Sequence, residues 1–233
     1  MLVTRPGERA AKLARLVEQA GGRAFLFPAI EIEDLPPPAA LGELERFDLA
    51  VFISPTAASK VMDRVGAWPR GLRAAAVGGG TRRELERRGV AGVIAPQGQA
   101  DSEALLARPE MQHVAGKRVV IFRGEGGREV LAEELRRRGA RVEYAECYRR
   151  TRPEGRREWD EAQVHAVTVS SSQGLANLFE MLDAAFLRAR PLFVPHPRVA
   201  DTARVREVRE VLLAGPSDEQ MRDALVAYFR SHG

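Results

Sequence analysis

Short apolar runs alternate with amphipathic segments along the whole chain. The amphipathic segments carry apolar residues at helical spacing, as at Leu13, Leu16 and Val17 before a glycine pair. Continuous apolar strands that alternate with such helices are typical of parallel sheets covered by helices on both faces. The pattern therefore predicts an α/β protein. The predicted strands cover residues 2–4, 24–27, 49–53, 74–77, 93–94, 119–122, 142–148, 167–169, 192–194 and 211–213.

The pattern occurs twice in the chain. Residues 3–30 align without a gap with residues 121–148, and residues 50–54 match residues 166–170. Both matches have a shift of roughly 116 to 118 residues, which is too long for a solenoid repeat and fits a duplicated domain. An internal duplication predicts two similar domains with a cleft between them, where ligands commonly bind.

Two segments, 34–38 and 147–153, are predicted to connect the domains. The first ends in three prolines, which a helix interior or a central strand does not accommodate. If the connectors run side by side, residues 39–146 form one domain, and residues 1–33 join residues 154–233 in the other. We expect two similar doubly wound, flavodoxin-like parallel-sheet domains joined by these two connectors. A split at the repeat boundary is the alternative, but it would separate each repeat unit from its nearest sheet.

Composition narrows the class of protein. The 233 residues are 45% hydrophobic and contain no apolar run near the ~20 residues of a membrane span. Cys147 is the single cysteine, so we expect no disulfide framework and a cytoplasmic protein without a membrane partner. We also expect a monomer, because duplication already supplies paired surfaces. The net charge of +4 fits a polyanionic partner, and it equally fits an ordinary solvated surface. Nucleic acid is disfavoured, because the arginines are spread over several helices and only 6% of residues are aromatic.

Known catalytic motifs do not account for the chain. Its four histidines are scattered singly, and it has neither a nucleophile elbow nor a P-loop. Two glycine-rich turns, 78–80 and 124–127, follow predicted strands and precede predicted helices. They suit an anion at a helix N-terminus but lack the spaced dinucleotide fingerprint. We therefore expect no metal site and no nicotinamide cofactor.

Small and hydroxyl residues recur directly after the predicted strands. In a doubly wound domain these carboxyl ends lie along one rim, where backbone N–H groups, hydroxyls and helix N-termini favour negative charge. Two such rims facing each other would bind a ligand that bears several carboxylates. Each serine or threonine taken singly could equally be a helix N-cap. The candidate binding residues on these rims are Arg5, Ser54, Thr56, Thr81, Arg123, Ser170, Ser171, Ser172, Pro197 and Arg198.

The order and spacing of these motifs resemble the uroporphyrinogen-III synthase family over essentially the whole length. The resemblance is carried by the VTRP start, VFISPTA after Asp48, the glycine turn before Thr81, the Arg123-Gly124 unit, the Tyr148-Arg149-Arg150 segment, VTVSSSQGL and PHPRVA. It implies two α/β domains joined by a two-stranded connector, no cofactor, and a linear tetrapyrrole substrate, hydroxymethylbilane. The family closes this substrate to uroporphyrinogen III with loss of water and inversion of ring D through a spiro intermediate.

The resemblance also implies roles for particular residues. Tyr148 matches a tyrosine proposed to help the substrate hydroxyl leave, and Thr81 matches a threonine after the glycine turn. Arg128 matches a basic, substrate-binding residue that opens the helix of the Arg123 unit. Many members have a Gly-x-x-Thr turn at positions 196–198, where Arg198 is expected to replace the threonine as a carboxylate binder. Hydroxymethylbilane synthase is the implied partner that could hand over the substrate.

Two alternatives remain open from the sequence. A non-enzymatic two-lobed binding protein for a small polyanion would share the predicted cleft but lack turnover. Tyr148 could also be a buried tyrosine that braces the connector without contacting a reacting group.

Overall fold

A computed structural model of the chain describes residues 1–98, 101–154 and 159–232. The remaining positions of the two predicted domains, 99–100, 155–158 and 233, lie outside the described residues. Contacts divide the chain into two compact units: unit 1 comprises Met1–Ile32 and Thr151–Gly233, and unit 2 comprises Glu33–Arg150. Each unit contains a five-stranded, largely parallel sheet with helices, which confirms the predicted α/β class.

The strands and helices follow one another as the hydrophobic pattern indicates. Short 3-10 helices cover Ala39–Arg46, Pro109–Met111 and Glu161–Gln163. In chain order the described elements are β1 Leu2–Val3, α1 Glu8–Gln19, β2 Phe25–Leu26, β3 Glu31–Asp34, β4 Leu49–Phe52, α2 Pro55–Met62, β5 Arg73–Ala76, α3 Gly79–Arg87, α4 Ser102–Leu106, β6 Arg118–Gly124, α5 Val130–Arg137, β7 Arg141–Thr151, β8 Val167–Thr168, α6 Ser172–Met181, α7 Ala184–Arg188, β9 Leu192–Val194, α8 Pro197–Val205, β10 Val211–Leu213 and α9 Asp218–His232.

The sheet of unit 1 has the order β2-β1-β8-β9-β10, and every pair is parallel. Successive strand residues point to opposite faces, so Leu2 packs in one core and Val3 in the other. The core around Leu2 is covered by α6 and α8, and the core around Val3 by α1 and α9. Both faces are therefore buried, which explains why these strands read as unbroken apolar runs.

The sheet of unit 2 has the order β3-β7-β6-β4-β5, and its four strands from β7 to β5 are parallel. Val51 and Ile121 face a core that includes Leu131 and Leu135 of α5. On the opposite face, the neighbouring Phe52 stacks on Phe122 with ring centroids 5.1 Å apart. The four consecutive buried residues of β4 thus point alternately into cores on the two faces of the sheet.

The structure departs from the predicted elements at two places. Residues 93–94 do not form a strand; Ile94 makes one isolated bridge to Ala75, because Pro96 follows closely and cannot extend a ladder. Strand β3 was not predicted, because only one of its four residues is apolar and it lies at a sheet edge beside β7. The connector segments 34–38 and 147–153 overlap the ends of β3 and β7, and the Leu35 N–H donates to the Cys147 carbonyl at 3.3 Å.

One backbone position suggests a stabilising substitution. Gly89 follows α3 with φ +87°, and Glu207 holds the matching place after α8, 118 positions later, with φ +62°. Glutamate pays about 1–2 kcal/mol to adopt this left-handed conformation, whereas glycine adopts it freely but loses more chain entropy on folding. We expect Glu207→Gly to raise the free energy of unfolding by about 0.5–1 kcal/mol in urea titrations.

The Glu207→Gln variant separates backbone strain from charge. Glu207 is exposed and forms an ion pair with Arg188 at 3.1 Å. Glutamine weakens this ion pair, but ion pairs at the surface contribute little to stability. Glutamine keeps the strain and should leave stability unchanged or slightly lower. Equal stabilisation by both substitutions would show that the charge, not the backbone, limits stability here.

Candidate functional site

The carboxyl ends of the parallel strands in unit 2 bring several predicted site residues to one edge of the sheet. Ser54 lies just after β4 and Gly78 just after β5. On β6 and β7, Gly124 pairs in register with Tyr148. Chain connections from β4 and β6 leave in opposite directions along the sheet, towards β5 and β7, so a topological switch point lies between them. Ligands of open α/β sheets bind at such points.

Tyr148 lies at this edge and is only 2% exposed. Its hydroxyl lies 2.9 Å from Ser54 Oγ and 3.4 Å from Nη2 of Arg150. Its ring covers Gly124 so closely that a Cβ at that position would lie 2.7 Å from Cε2 and 2.8 Å from Cζ. The absence of a side chain at Gly124 therefore leaves room for the phenol beside β6. Sequence reasoning identified Tyr148 and Ser54 but not the glycine contact.

Two helices begin beside this edge. Ser54 is the N-cap of α2, and its Oγ accepts a hydrogen bond from the Ala57 N–H at 3.1 Å. Thr56 is the second residue of α2, and Thr81 is the third residue of α3, where it is buried. A Cβ on Gly80 would lie 3.5 Å from Pro55, so the first turns of the two helices are close. Their unpaired N–H groups favour an anionic group nearby.

The two arginines of the β6–α5 region have different environments. Arg123 is buried, its Nε donates to the Gly124 carbonyl at 3.2 Å, and its guanidinium lies 4.5 Å over the ring of Tyr144. Nη1 of Arg123 also lies 3.6 Å from Glu129, so its guanidinium contacts groups of the loop between β6 and α5. Arg128 is exposed, but the expectation that it opens α5 is wrong. Glu129 is the N-cap and the helix begins at Val130, because two glycines with positive φ lengthen the turn.

The carboxyl edge of unit 1 holds the other predicted residues. Arg5 is buried and forms an ion pair with Asp218, the first residue of α9. Lys12 lies 3.5 Å from the same carboxylate. Asp218 was missed from the sequence, because nothing local links it to a residue 213 positions earlier. The guanidinium of Arg5 is therefore engaged within unit 1.

The serine run and the late proline lie at the starts of helices. Ser170 is half-buried before α6, and Ser171 is the N-cap that accepts from the Gly174 N–H at 3.1 Å. Ser172 Oγ lies 3.0 Å from Thr202 Oγ1 of α8, a residue that sequence reasoning did not select. At the start of α8 itself, Pro197 is the first residue and Arg198 the exposed second, and two residues separate the end of β9 from the helix.

Cys147 next to Tyr148 is not a candidate nucleophile. Its thiol is buried, and desolvation raises its pKa to about 11, which keeps it protonated at neutral pH. Among residues 1–98, 101–154 and 159–232, no three His, Cys, Asp or Glu side chains come together in a way that could hold a metal ion. No helix in the described part of the chain has the length and apolar character needed to cross a membrane.

Comparisons with known proteins agree on one family. The family model described as uroporphyrinogen-III synthase HemD matches residues 11–223. Uroporphyrinogen-III synthase of Escherichia coli (strain K12) is 33% identical over 244 aligned positions, which cover 97% of this chain and 98% of that protein. A relative from Methanothermobacter thermautotrophicus, described as a putative uroporphyrinogen-III synthase, is 31% identical over 78% of this chain and 77% of its own length.

Two solved structures share the fold at low sequence identity. Uroporphyrinogen-III synthetase from Helicobacter pylori superimposes with a TM-score of 0.66 at 12% identity, covering 88% of this chain and 93% of that one. A mutant uroporphyrinogen III synthase from the extremely thermophilic bacterium Thermus thermophilus gives a TM-score of 0.61 at 18% identity, covering 99% and 98%. These likenesses support the α/β fold, and the family model and the sequence relatives determine membership. The chain belongs to the uroporphyrinogen-III synthase family.

Proposed function

We propose that this protein is a cyclising lyase that converts hydroxymethylbilane to uroporphyrinogen III. The reaction expels the substrate hydroxyl as water, passes through a spiro intermediate and inverts ring D. The observation that carries the proposal, beyond family membership, is the Tyr148 hydroxyl at the carboxyl edge of unit 2, beside the N-cap of α2. A phenol at such a place can donate a proton to a leaving oxygen.

The chemistry asks the protein mainly to position its substrate. The pyrrole nitrogen of the substrate assists loss of its hydroxyl, so no cofactor is required. Left alone, the linear chain can close without inversion, and the enzyme must hold ring D so that only the spiro route is reached. Tyr148 donates the proton that turns the leaving hydroxyl into water. Its burial limits competing proton transfer with bulk water.

Carboxylate binding is assigned to the exposed or half-exposed groups at the two carboxyl edges. In unit 2 these are the first turns of α2 and α3, with Thr56, and the exposed Arg128. In unit 1 they are the first turns of α6 and α8, with Ser170 and Arg198. Arginine binds carboxylates with two parallel hydrogen bonds, and helix N-termini add unpaired N–H donors.

The remaining predicted binding residues are assigned supporting roles. Arg5 and Arg123 hold the loops at the two edges through Asp218 and the Gly124 carbonyl. Thr81 is buried within α3, and Ser171 and Ser172 are engaged by the α6 cap and by Thr202. These contacts favour roles in shaping the edges over direct contact with a carboxylate.

We further propose that the two units are flavodoxin-like copies that arose by internal duplication. The repeat matches β1-α1-β2 with β6-α5-β7, and β4-α2 with β8-α6. The matched strands take the same places in the two sheets: β7-β6-β4-β5 in unit 2 corresponds to β2-β1-β8-β9 in unit 1. The paired strands β3 and β7 would then form the two-stranded connector. We also propose a cytoplasmic monomer that receives hydroxymethylbilane from hydroxymethylbilane synthase.

The decisive experiment supplies freshly made hydroxymethylbilane and separates the oxidised products by chromatography. We expect the type III isomer to dominate with the protein present and type I to form in its absence. Type I alone in both reactions would contradict the enzymatic function. Binding of hydroxymethylbilane without acceleration would instead support the alternative of a non-enzymatic binding protein, which the named relatives do not favour.

A further inference from the structure

The hydroxyl of Ser54 has two contacts of different kinds. It accepts a hydrogen bond from the Ala57 N–H at 3.1 Å, which caps α2, and it lies 2.9 Å from Tyr148 Oη. A serine hydroxyl carries one proton and two acceptor positions. The Ala57 N–H occupies one acceptor position, so the proton and the second acceptor position of Ser54 remain for the phenol, and either oxygen can be the donor of this contact.

The phenol oxygen has a second donor on its own strand. Nη2 of Arg150 lies 3.4 Å from Tyr148 Oη, and a guanidinium can only donate. When Ser54 and Arg150 both donate, the two lone pairs of the phenol oxygen are occupied. In that arrangement the phenolic proton points away from both residues.

We propose that Ser54 is a positioning residue that acts through Tyr148 and does not bind a substrate carboxylate. The inference rests on the proposed function. The phenolic proton passes to the hydroxyl oxygen of the substrate, the carbon–oxygen bond breaks with its electron pair on that oxygen, and water leaves. The resulting phenolate oxygen accepts hydrogen bonds from Ser54 and Arg150. The proton that the substrate loses on ring closure restores the phenol.

A double-mutant cycle tests this dependence on Tyr148. In the Tyr148 enzyme, Ser54→Ala should lower kcat about tenfold, as loss of a hydrogen bond to a charged oxygen predicts, with KM within about twofold. In a Tyr148→Phe background the same change should lower kcat by less than about twofold, because the acceptor oxygen is gone. Equal losses in both backgrounds, or a change in KM alone, would overturn the proposal.

Two further variants separate the helix cap from the hydrogen bond to the phenol. Ser54→Asp keeps an oxygen that caps α2 but cannot donate, so it should be at least as slow as Ser54→Ala with its thermal midpoint preserved. Ser54→Thr keeps both functions and should stay within about threefold of wild-type kcat. A fully active Ser54→Asp protein would show that donation to the phenol is not needed.

Asp101→Ala provides the matched control for the loss of a cap. Asp101 caps α4 in the same unit through the Ala104 N–H at 2.7 Å and lies outside the proposed site. Its loss should lower the thermal midpoint by a few degrees without changing kcat. A similar loss of kcat in Asp101→Ala would overturn the specific role of Ser54. Absence of the type III isomer with the wild-type protein would instead overturn the proposed function, and this role with it.

Discussion

Replacing Tyr148 with phenylalanine is expected to lower kcat about 100-fold while the protein stays folded. General acid catalysis by a positioned side chain typically contributes at least this factor. The ring of Tyr148 fills the space over Gly124, and phenylalanine keeps that ring while it removes the hydroxyl that lies 2.9 Å from Ser54. The rate of type III isomer formation, with circular dichroism as the check on folding, measures the effect.

Tyr144→Phe is the matched control for this substitution. Tyr144 lies on the same strand, four residues earlier, and its hydroxyl donates to Glu129 at 3.2 Å. Desolvation and this hydrogen bond raise the pKa of Tyr144, and its hydroxyl contacts Glu129 where that of Tyr148 contacts Ser54 and Arg150. Its kcat should remain within about twofold of wild type. If Tyr148→Phe behaves like Tyr144→Phe, Tyr148 only braces the strand.

The two aligned parts of the sequence differ at the position of this phenol. Tyr148 and Ile30 hold matching places in the two aligned parts of the sequence, and so do the N-cap regions of α2 and α6. In unit 1, Ile30 Cδ1 would lie 3.7 Å from a Cβ added to Gly174. The N–H of Gly174 donates to Ser171, the N-cap of α6. An isoleucine therefore lies near the serine cap in unit 1, whereas a tyrosine hydroxyl contacts the serine cap in unit 2. This difference between Ile30 and Tyr148 was visible in the sequence, because it follows from aligning residues 3–30 with residues 121–148.

Local patterns predicted most strands because burial on both sheet faces leaves unbroken apolar runs such as residues 49–53. The same rule misses β3, whose exposed edge position permits a mostly polar sequence. Helix caps such as Ser54 were predictable, because capping depends on neighbours within three residues.

Contacts between distant segments were not predictable from one sequence. Arg5 was predicted to bind the substrate, but its guanidinium already forms an ion pair with Asp218. Similarly, the close approach of Tyr148 to Gly124 depends on the register of β6 and β7, including an irregularity between Arg123 and Gly124. Such contacts depend on tertiary packing, which local composition does not encode.

Gly124→Ala is expected to reduce activity as severely as loss of the phenol. An added Cβ would lie 2.7 Å from Cε2, 2.8 Å from Cζ and 3.1 Å from the hydroxyl oxygen of Tyr148, well inside van der Waals contact. The buried ring must move, which breaks its alignment with Ser54. We expect kcat to fall about 100-fold. We also expect the free energy of unfolding to fall by about 1–3 kcal/mol, the usual cost of overpacking.

Two further proteins make the Gly124→Ala result interpretable. Gly66→Ala is the control, because a Cβ at Gly66 meets no atom within 4 Å, and it should retain both activity and stability. Gly124→Ala combined with Tyr148→Leu removes the clashing ring, so most of the lost stability should return while activity stays low. A Gly124→Ala protein with wild-type kcat would mean that the reaction tolerates a displaced Tyr148, and the phenol would then lose its assigned role as the proton donor.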